Sequence, residues 1–397
     1  MRSKILTFFA ATLLFAAAVR AQTPNDVLNI LVQKGTITRE EADSIRADYA
    51  IKQQDALAKA RSFPLGSSRL LQLSGYTQVR YNSFQQKGKA DGFDIRRARL
   101  DFQGDFTKKW GYRLLIDFAG NSGANGSAAT GGALVSPLLL DAFVAYKPGD
   151  YLKVTAGQFT IPFSLENLTQ DRLLETADRS QVVSALVSRK GDGSNNIVDS
   201  VGNQNGRDLG LQFSGSLFGS GDRKIVDYYL ALLNGAGIDV VDNNEFKDFV
   251  GRLAFHPVKA LSIAGNYYNG FDRFSSSPTK DQNRIRWGGD LLLDLNRFTA
   301  RAEWLKGEDG NVNPTVHEGW YAQGSYFVVP KIVQLVFRYD TYNPNKDKVH
   351  VTNTYYVFGT NLYFNSWTKL QLNYSRRTES GADVNNDLLT AQLQISF

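Results

Sequence analysis

The feature that most constrains this chain is a strict alternation of side-chain character over residues 93–118, FDIRRARLDFQGDFTKKWGYRLLIDF. Ala98, Leu100, Phe102 and Phe106 fall on one side, and Arg97, Arg99, Asp101, Gln103 and Asp105 on the other. After a tight turn at 107–111 the pattern resumes, with Tyr112, Leu114, Ile116 and Phe118 apolar and Arg113 and Asp117 polar. Side chains of a strand alternate across the sheet, so this is a hairpin with one greasy face and one charged face. In a soluble sandwich the greasy face meets a second sheet. In a transmembrane barrel it meets lipid, and the charged face lines a wet lumen.

The rest of the chain decides between the two. From residue 70 to 397 the sequence reads as sixteen alternating segments, at 70–84, 91–106, 110–119, 138–147, 151–160, 206–218, 224–234, 246–256, 259–271, 284–296, 297–307, 317–329, 331–342, 350–364, 366–378 and 385–397. Their connections alternate short and long. Short ones lie at 107–109, 148–150, 219–223, 257–258, 296–297, 330–331 and 365–366. Long ones include 120–137, 161–205 and 235–245. Short turns at one end and long loops at the other are the sequence form of an outer-membrane meander, and a Greek-key sandwich has no reason to alternate this way. Aromatics near strand ends (Trp110, Tyr112, Phe255, Trp287, Phe298, Trp304, Tyr326, Phe364, Trp367) suit interfacial girdles against outer-membrane lipid. The expected fold is therefore all-β: a 16-stranded antiparallel transmembrane β-barrel with a short N-terminal periplasmic α-helical segment. Its last strand ends on Phe397, which resembles the signal read by the outer-membrane assembly machinery.

Ahead of the barrel, residues 1–21 carry Arg2 and Lys4 and then an apolar run from Ile5 to Val19, too short for a spanning helix and closed by small residues. They read as a secretory signal peptide. Residues 22–69 form the second region, a helical hairpin and linker. Apolar spacing at Val27, Leu28, Ile30 and Leu31 and at Ala42, Ile45, Tyr49 and Leu57 predicts two helices. Thr38 with Glu41 three residues on is a capping box. The second helix is polar enough to need partners, which predicts a coiled coil of copies. Pro64 and Gly66 mark the linker.

Composition excludes several functions. With no cysteine there is no disulfide framework, thiolate metal site or cysteine nucleophile. The net charge of +6 includes Arg2, Lys4 and Arg20, so the remainder carries about +3, too little to argue for nucleic acid. Three histidines, His256, His317 and His350, lie on separate strand ends, and no HExxH, GxSxG or Walker lysine occurs. No enzymatic activity and no cofactor is expected. His317 near Glu318 or His350 near Asp347 is the most an enzyme reading can assemble. The acidic stretches 239–248 and 308–313 read as solvated loops rather than Ca²⁺ sites.

A barrel of sixteen strands leaves an aqueous channel, so the question becomes what narrows it and what charge it shows. The longest loop, 161–205, is expected to fold inward, because its apolar stretch 182–187 needs burial. That would bring Arg172, Arg179, Arg189 or Lys190 to the narrow point, against Glu166, Asp171, Glu175 and Asp178. Alternation also turns Arg80, Arg97, Arg99, Arg284, Arg286, Arg301, Arg338 and Arg377 inward, with Lys369 and about as many acids. Arginine rings favour anions, whereas Arg–Asp pairs between neighbouring strands would brace the wall instead.

The run 93–106 (FDIRRARLDFQGDF), then 157–166 (GQFTIPFSLE) and Asp178-Arg179-Ser180, resembles the porin O/P family of phosphate- and polyphosphate-selective outer-membrane channels, over residues 70–397. The helical leader resembles that of relatives from the Bacteroidetes. The resemblance implies a trimeric porin of a Gram-negative outer membrane, an inward-folded third loop, and an arginine ladder leading small anions such as phosphate to a lysine-lined throat. Lys190 is the single lysine of the long loop here. The alternatives are a non-selective porin and a structural outer-membrane protein tethered through its periplasmic helices.

Overall fold

In the computed structural model the chain forms two compact units, Met1–Leu57 and Ala58–Phe397. The structure describes residues 70–397 other than 120–136, 188–205, 220–222, 239, 240, 243, 274–279 and 383, together with scattered positions between 28 and 63. The signal peptide, most of the helical hairpin, and Arg189 and Lys190 lie outside the described residues. In the first unit Leu28, residues 31–33, Glu41, Ala42 and Ile45 are helical. Thr38 and Glu41 make both bonds of the capping box: the Thr38 amide donates to Glu41 Oε2 at 2.8 Å, and the Glu41 amide to Thr38 Oγ1 at 3.1 Å.

The second unit begins with a two-residue strand, β1 (Ser62–Phe63). Sixteen strands then follow among the described residues: β2 (Leu71–Phe84), β3 (Gly92–Asp105), β4 (Trp110–Asp117), β5 (Leu138–Gly149), β6 (Leu152–Thr160), β7 (Arg207–Leu217), β8 (Val226–Leu233), β9 (Asp248–Val258), β10 (Leu261–Arg273), β11 (Asp281–Leu295), β12 (Phe298–Asp309), β13 (Thr315–Val329), β14 (Val333–Asn343), β15 (Asn353–Tyr363), β16 (Thr368–Glu379) and β17 (Leu388–Ser396). Each of β2–β17 pairs antiparallel with the next. β17 returns to β2, from Leu388 opposite Phe84 to Ser396 opposite Tyr76, and closes the ring. Closure leaves no sheet edge, which a bilayer core would otherwise penalise. Past the end of β17, Gly75 and Phe397 exchange backbone hydrogen bonds at 2.9 and 3.0 Å, and β1 pairs with β2 below that point.

The pleat sorts side chains as the alternation predicts. Phe93, Ile95, Leu253 and Leu389 are exposed on the outer face, while Gln78, Arg80, Arg97 and Arg99 are buried on the inner one. Aromatic pairs stand at two heights on the outside. Trp110–Tyr146 and Phe106–Tyr112 lie near the short turns, and Trp320–Tyr339 and Tyr81–Phe93 near the long loops.

One irregularity matters for the interior. Gln78 faces Arg97 and Val79 faces Ile95, so Arg96 is an extra residue in β3. This β-bulge turns Arg96 inward beside Arg97, although strict alternation puts it on the lipid face.

Candidate functional site

The chain leaves β6 at Thr160, and residues 161–187 hydrogen-bond to inward-facing side chains on β2, β3, β10 and β12–β17. The departure turns on Ser164, which holds a left-handed φ of 76° and is fully buried. Its Oγ accepts from the Asn167 amide and starts helix α1 (Leu165–Leu168). The Ser164 amide donates to Asn266 on β10, and the Leu165 and Glu166 amides donate to the Glu303 carboxylate on β12 at 3.0 and 2.7 Å. A 3₁₀ turn follows at Asp171–Leu173. Ser180 then caps a second helix, α2 (Gln181–Leu186), and the Gln181 amide donates to Asp340 on β14.

Helix α2 is short and apolar, and it fills one side of the lumen. Val182, Val183, Leu186 and Val187 are buried in one cluster with Ala231, Leu233, Val250, Tyr268, Leu305, Tyr321 and Tyr342, which face inward from β8, β9, β10, β12, β13 and β14. A water-filled lumen has no use for apolar walls. Burying them against α2 removes both apolar surfaces from water at roughly 25 cal/mol per Å². Gly319 on β13 lets the helix approach, since a Cβ there would meet the Thr341 carbonyl at 2.5 Å and Val182 at 3.0 Å. Water is thus left the opposite side of the ring.

On that side the backbone of residues 172–175 presents carbonyls to donors on the wall. Lys369 Nζ donates to the Arg172 and Leu174 carbonyls at 2.9 and 3.0 Å. Gln371 donates to the Leu174 carbonyl, and Asn361 to that of Glu175. The inward arginines meet the carboxylates of the same segment. Asp171 sits between Arg97 and Arg179, each at 3.1 Å, and Arg99 at 2.5 Å. Burial alone would raise the Asp171 carboxyl, but Arg179, Arg97 and Arg99 outweigh it and hold it well below the ordinary carboxylate range. Arg99 also pairs with Asp117 at 2.7 Å, Arg301 with Glu175 at 2.9 Å, and Arg338 with Glu166. Arg80 bridges Asp94 and Asp178, each at 3.1 Å, and Arg96 reaches Asp178 at 3.6 Å.

Three cavities open along the free side. The first, of about 980 Å³ at the long-loop end, is lined by Arg80, Arg96, Arg97, Arg179, Arg338 and Arg377 among others. The second is only about 130 Å³. Arg99, Arg113, Arg172, Arg179 and Arg207 ring it, with Asp101 and Asp171. The third, of about 610 Å³ at the short-turn end, is lined by Arg113 and four lysines, Lys108, Lys109, Lys147 and Lys153, against Asp105, Asp150 and Asp227. Hydrogen bonds from Lys224 and Lys147 bring the exposed Asp150 in that turn down to about 2. Asp171 and Arg179 border both the first and second cavities, and Arg113 both the second and third.

The arginines expected from sequence therefore fall into distinct surroundings. Arg80, Arg97, Arg338 and Arg377 border the wide cavity, Arg99 and Arg172 the narrow one, and Arg179 both. Arg172 is exposed, its Nε donating to Gln170 Oε1 at 2.7 Å, and no carboxylate lies within 4 Å of it among the described residues. Arg284 and Arg286 are 2 % and 1 % exposed and are held by Asp272 and Asp309. They and Arg301 border none of the three cavities. Sequence reasoning missed Arg96 as an inward residue, and it left Arg113 and Arg207 unmarked as throat residues. Two adjacent arginines in an alternating strand were the available signal for the first, because one of them would have stood in lipid. His317 faces Asp309 and His350 the Ser380 carbonyl, so neither candidate catalytic pair forms.

Among solved structures, the barrel is similar to an anion-selective porin from Comamonas acidovorans, at 11% identity over 82% of this chain and 99% of that one, with a TM-score of 0.61. It is also similar to the outer-membrane protein OmpT of Vibrio cholerae in trimer form, at 11% identity over 82% and 99% of the chains, TM-score 0.55. The outer-membrane channel DcaP of Acinetobacter baumannii aligns at 13% identity over 82% and 97%, TM-score 0.55. No curated protein sequence matches. Likenesses this distant speak for the fold alone, a closed antiparallel barrel. The family model for phosphate-selective porin O and P, however, matches residues 72–397. This chain belongs to that family of porins, and its place is the outer membrane of a Gram-negative bacterium.

Proposed function

We propose that the protein is a passive diffusion channel favouring small anions, phosphate among them, and that residues 161–187 form its constriction. The observation that carries this reading is the narrow cavity of about 130 Å³ bordered by five guanidiniums, one of which, Arg172, has no carboxylate partner among the described residues. Arg113, Arg207 and Arg99 lean on Asp101, Asp141 and Asp117, and Arg179 on Asp171. Five cations against four anions leave a positive surplus where the path is tightest. A surplus at that point raises the local anion concentration more than any charge at the mouths, since salt screens over about 8 Å.

On this reading, short turns face the periplasm and the wide cavity faces outside. Arg377 collects anions at the outer mouth, Arg80, Arg96, Arg97, Arg301 and Arg338 hold the segment through its carboxylates, and Arg284 and Arg286 brace the wall. Residues 1–21 are the export signal, and 22–69 a periplasmic helical segment and linker. The functional unit is a homotrimer, by analogy with the Vibrio cholerae protein solved in trimer form. The deciding experiment is a planar-bilayer recording of the purified protein across a potassium chloride gradient, repeated with potassium phosphate. Reversal potentials on the anion side support the proposal, and a cation-side potential or an absence of open-channel current refutes it.

A further inference from the structure

The wide outer cavity has an apolar stripe that a pathway for inorganic ions does not need. Inward-facing positions of a porin wall are ordinarily polar. Where this barrel breaks that rule under α2, the apolar residues are covered. Around the wide cavity Phe84 and Tyr355 face inward half-buried, with the more deeply buried Leu388 and Val357 beside them, and all four border the open space. Register brings them together. Leu388 on β17 lies opposite Phe84 on β2, and Tyr355 on β15 lies opposite Arg377 on β16.

Two cations lie over these rings. The Arg377 guanidinium stands 4.8 Å from the Tyr355 ring, and Lys89 Nζ stands 4.9 Å from that of Phe84. Both rings are half-buried. Arg377 has no carboxylate within 4 Å among the described residues, and its Nε is buried without a hydrogen-bond partner there, which leaves the two terminal nitrogens as the edge a solute can meet. That sets it apart from Arg80, Arg97 and Arg338 on the same wall, whose guanidiniums are already shared with Asp94, Asp171, Asp178 or Glu166. A planar cation seated on an aromatic ring presents its edge to a phosphate or carboxylate and its second face to another flat group.

We infer that the outer vestibule selects organic anions bearing a flat apolar group, such as aryl phosphates and aromatic carboxylates, over inorganic phosphate. The anionic head sits on the free edge of Arg377, and the ring lies against Tyr355, Val357, Leu388 and Phe84. The inference rests on the anion-channel reading above and names the solute class for the same path. At about 980 Å³ the cavity has ample room for such a solute, whereas a bare phosphate leaves the half-exposed Tyr355 and Phe84 rings without an apolar partner.

The matched pair phosphate and phenyl phosphate isolates the ring, because the head group is the same. Added to the long-loop side of a single channel in potassium chloride, phenyl phosphate should block the current at about tenfold lower concentration than phosphate. The ratio of the two blocking concentrations should fall to near one in Tyr355→Ser and persist in Tyr355→Phe, which keeps the ring. A ratio near one in the native protein, or a ratio retained in Tyr355→Ser, overturns the inference. If that ratio of one comes with anion-side reversal potentials, the solute class alone is wrong. If it comes with cation-side potentials, the channel reading falls with it.

Discussion

Arg172 offers the cleanest test of where selectivity resides, because it borders the narrow cavity and its side chain holds nothing else in place. That side chain is exposed and bonds only to the Gln170 side chain among the described residues, so Arg172→Glu should leave the barrel folded. A cavity of about 130 Å³ is roughly 3 Å in radius, so a rim guanidinium lies about 5 Å from an ion at the centre, where Coulomb's law in water gives about 0.8 kcal/mol per unit charge. Reversal changes two units, raising an anion by about 1.7 kcal/mol and lowering a cation as much. Screening at 0.1 M salt, with a Debye length of about 10 Å, leaves about 1 kcal/mol of each. The anion-to-cation permeability ratio should then fall by about 2 kcal/mol, or roughly 30-fold. Arg172→Gln should give about half of that in free energy, roughly fivefold. The assay is the reversal potential across a tenfold potassium chloride gradient in a planar bilayer. Single-channel conductance serves as the check that the variant has inserted and opened. If Arg172→Glu conducts with native reversal potentials, the ions do not pass this residue and the throat has been misassigned.

Other perturbations separate the anchoring of the segment from its charge. Glu166→Gln leaves Arg338 buried without its carboxylate and should cost about 3–5 kcal/mol, read as a lower thermal unfolding midpoint by circular dichroism in detergent. Leu186→Ala removes a fully buried side chain from the cluster under α2; it should cost about 2–5 kcal/mol and raise single-channel conductance as the helix loosens. Arg286→Met should also lower the midpoint, because Asp309 loses its guanidinium and is left facing His317, yet leave the reversal potential within about twofold, since Arg286 borders none of the three cavities. Asp171 has a depressed folded-state pKa, so the stability it contributes is present above its unfolded value of about 3.9 and lost as pH falls below it. The native midpoint should therefore drop between about pH 5 and pH 2 more steeply than that of Asp171→Asn, which starts lower.

How much of this was legible in the sequence depends on whether the interaction is local. Strand positions follow from period-two alternation, and the short turns from Gly, Pro and Asn placement, so the expected segment 91–106 is observed as Gly92–Asp105 and 331–342 as Val333–Asn343. The Thr38 capping box likewise spans only three positions. The sequence also offered a clue to the filled half of the lumen that alternation alone leaves unread. Leu233, Val250, Leu305 and Tyr342 are apolar on positions that should face water, and such residues need a cover from inside the barrel. What could not be read is the pairing between distant positions. Asp171 and Arg99 are 72 residues apart in sequence, and Glu166 and Arg338 are 172 apart. The β3 bulge at Arg96 was hidden for another reason: one inserted residue shifts the faces locally, and the period on either side looks undisturbed.

That pairing changes what an inward arginine is worth. A guanidinium hydrogen-bonded to a carboxylate presents a dipole to a passing ion, and a dipole's field falls off faster than that of a lone charge. Arg97 and Arg99 look like the natural rungs of an anion ladder, yet both share Asp171, and Arg99 shares Asp117 as well. Reversing them would set new carboxylates against existing ones in a buried site, where the cost falls on the constriction rather than on the ion. A cation shift in such a variant would follow from a collapsed segment as readily as from a lost attractive charge. Selectivity therefore has to be sought in the few cations that the pairing leaves over, Arg172 at the throat and Arg377 at the outer mouth. The paired majority acts on the chain instead of the ion. It fixes a segment containing only ten helical residues in two short helices across an open lumen, which secondary structure of that length could not do by itself.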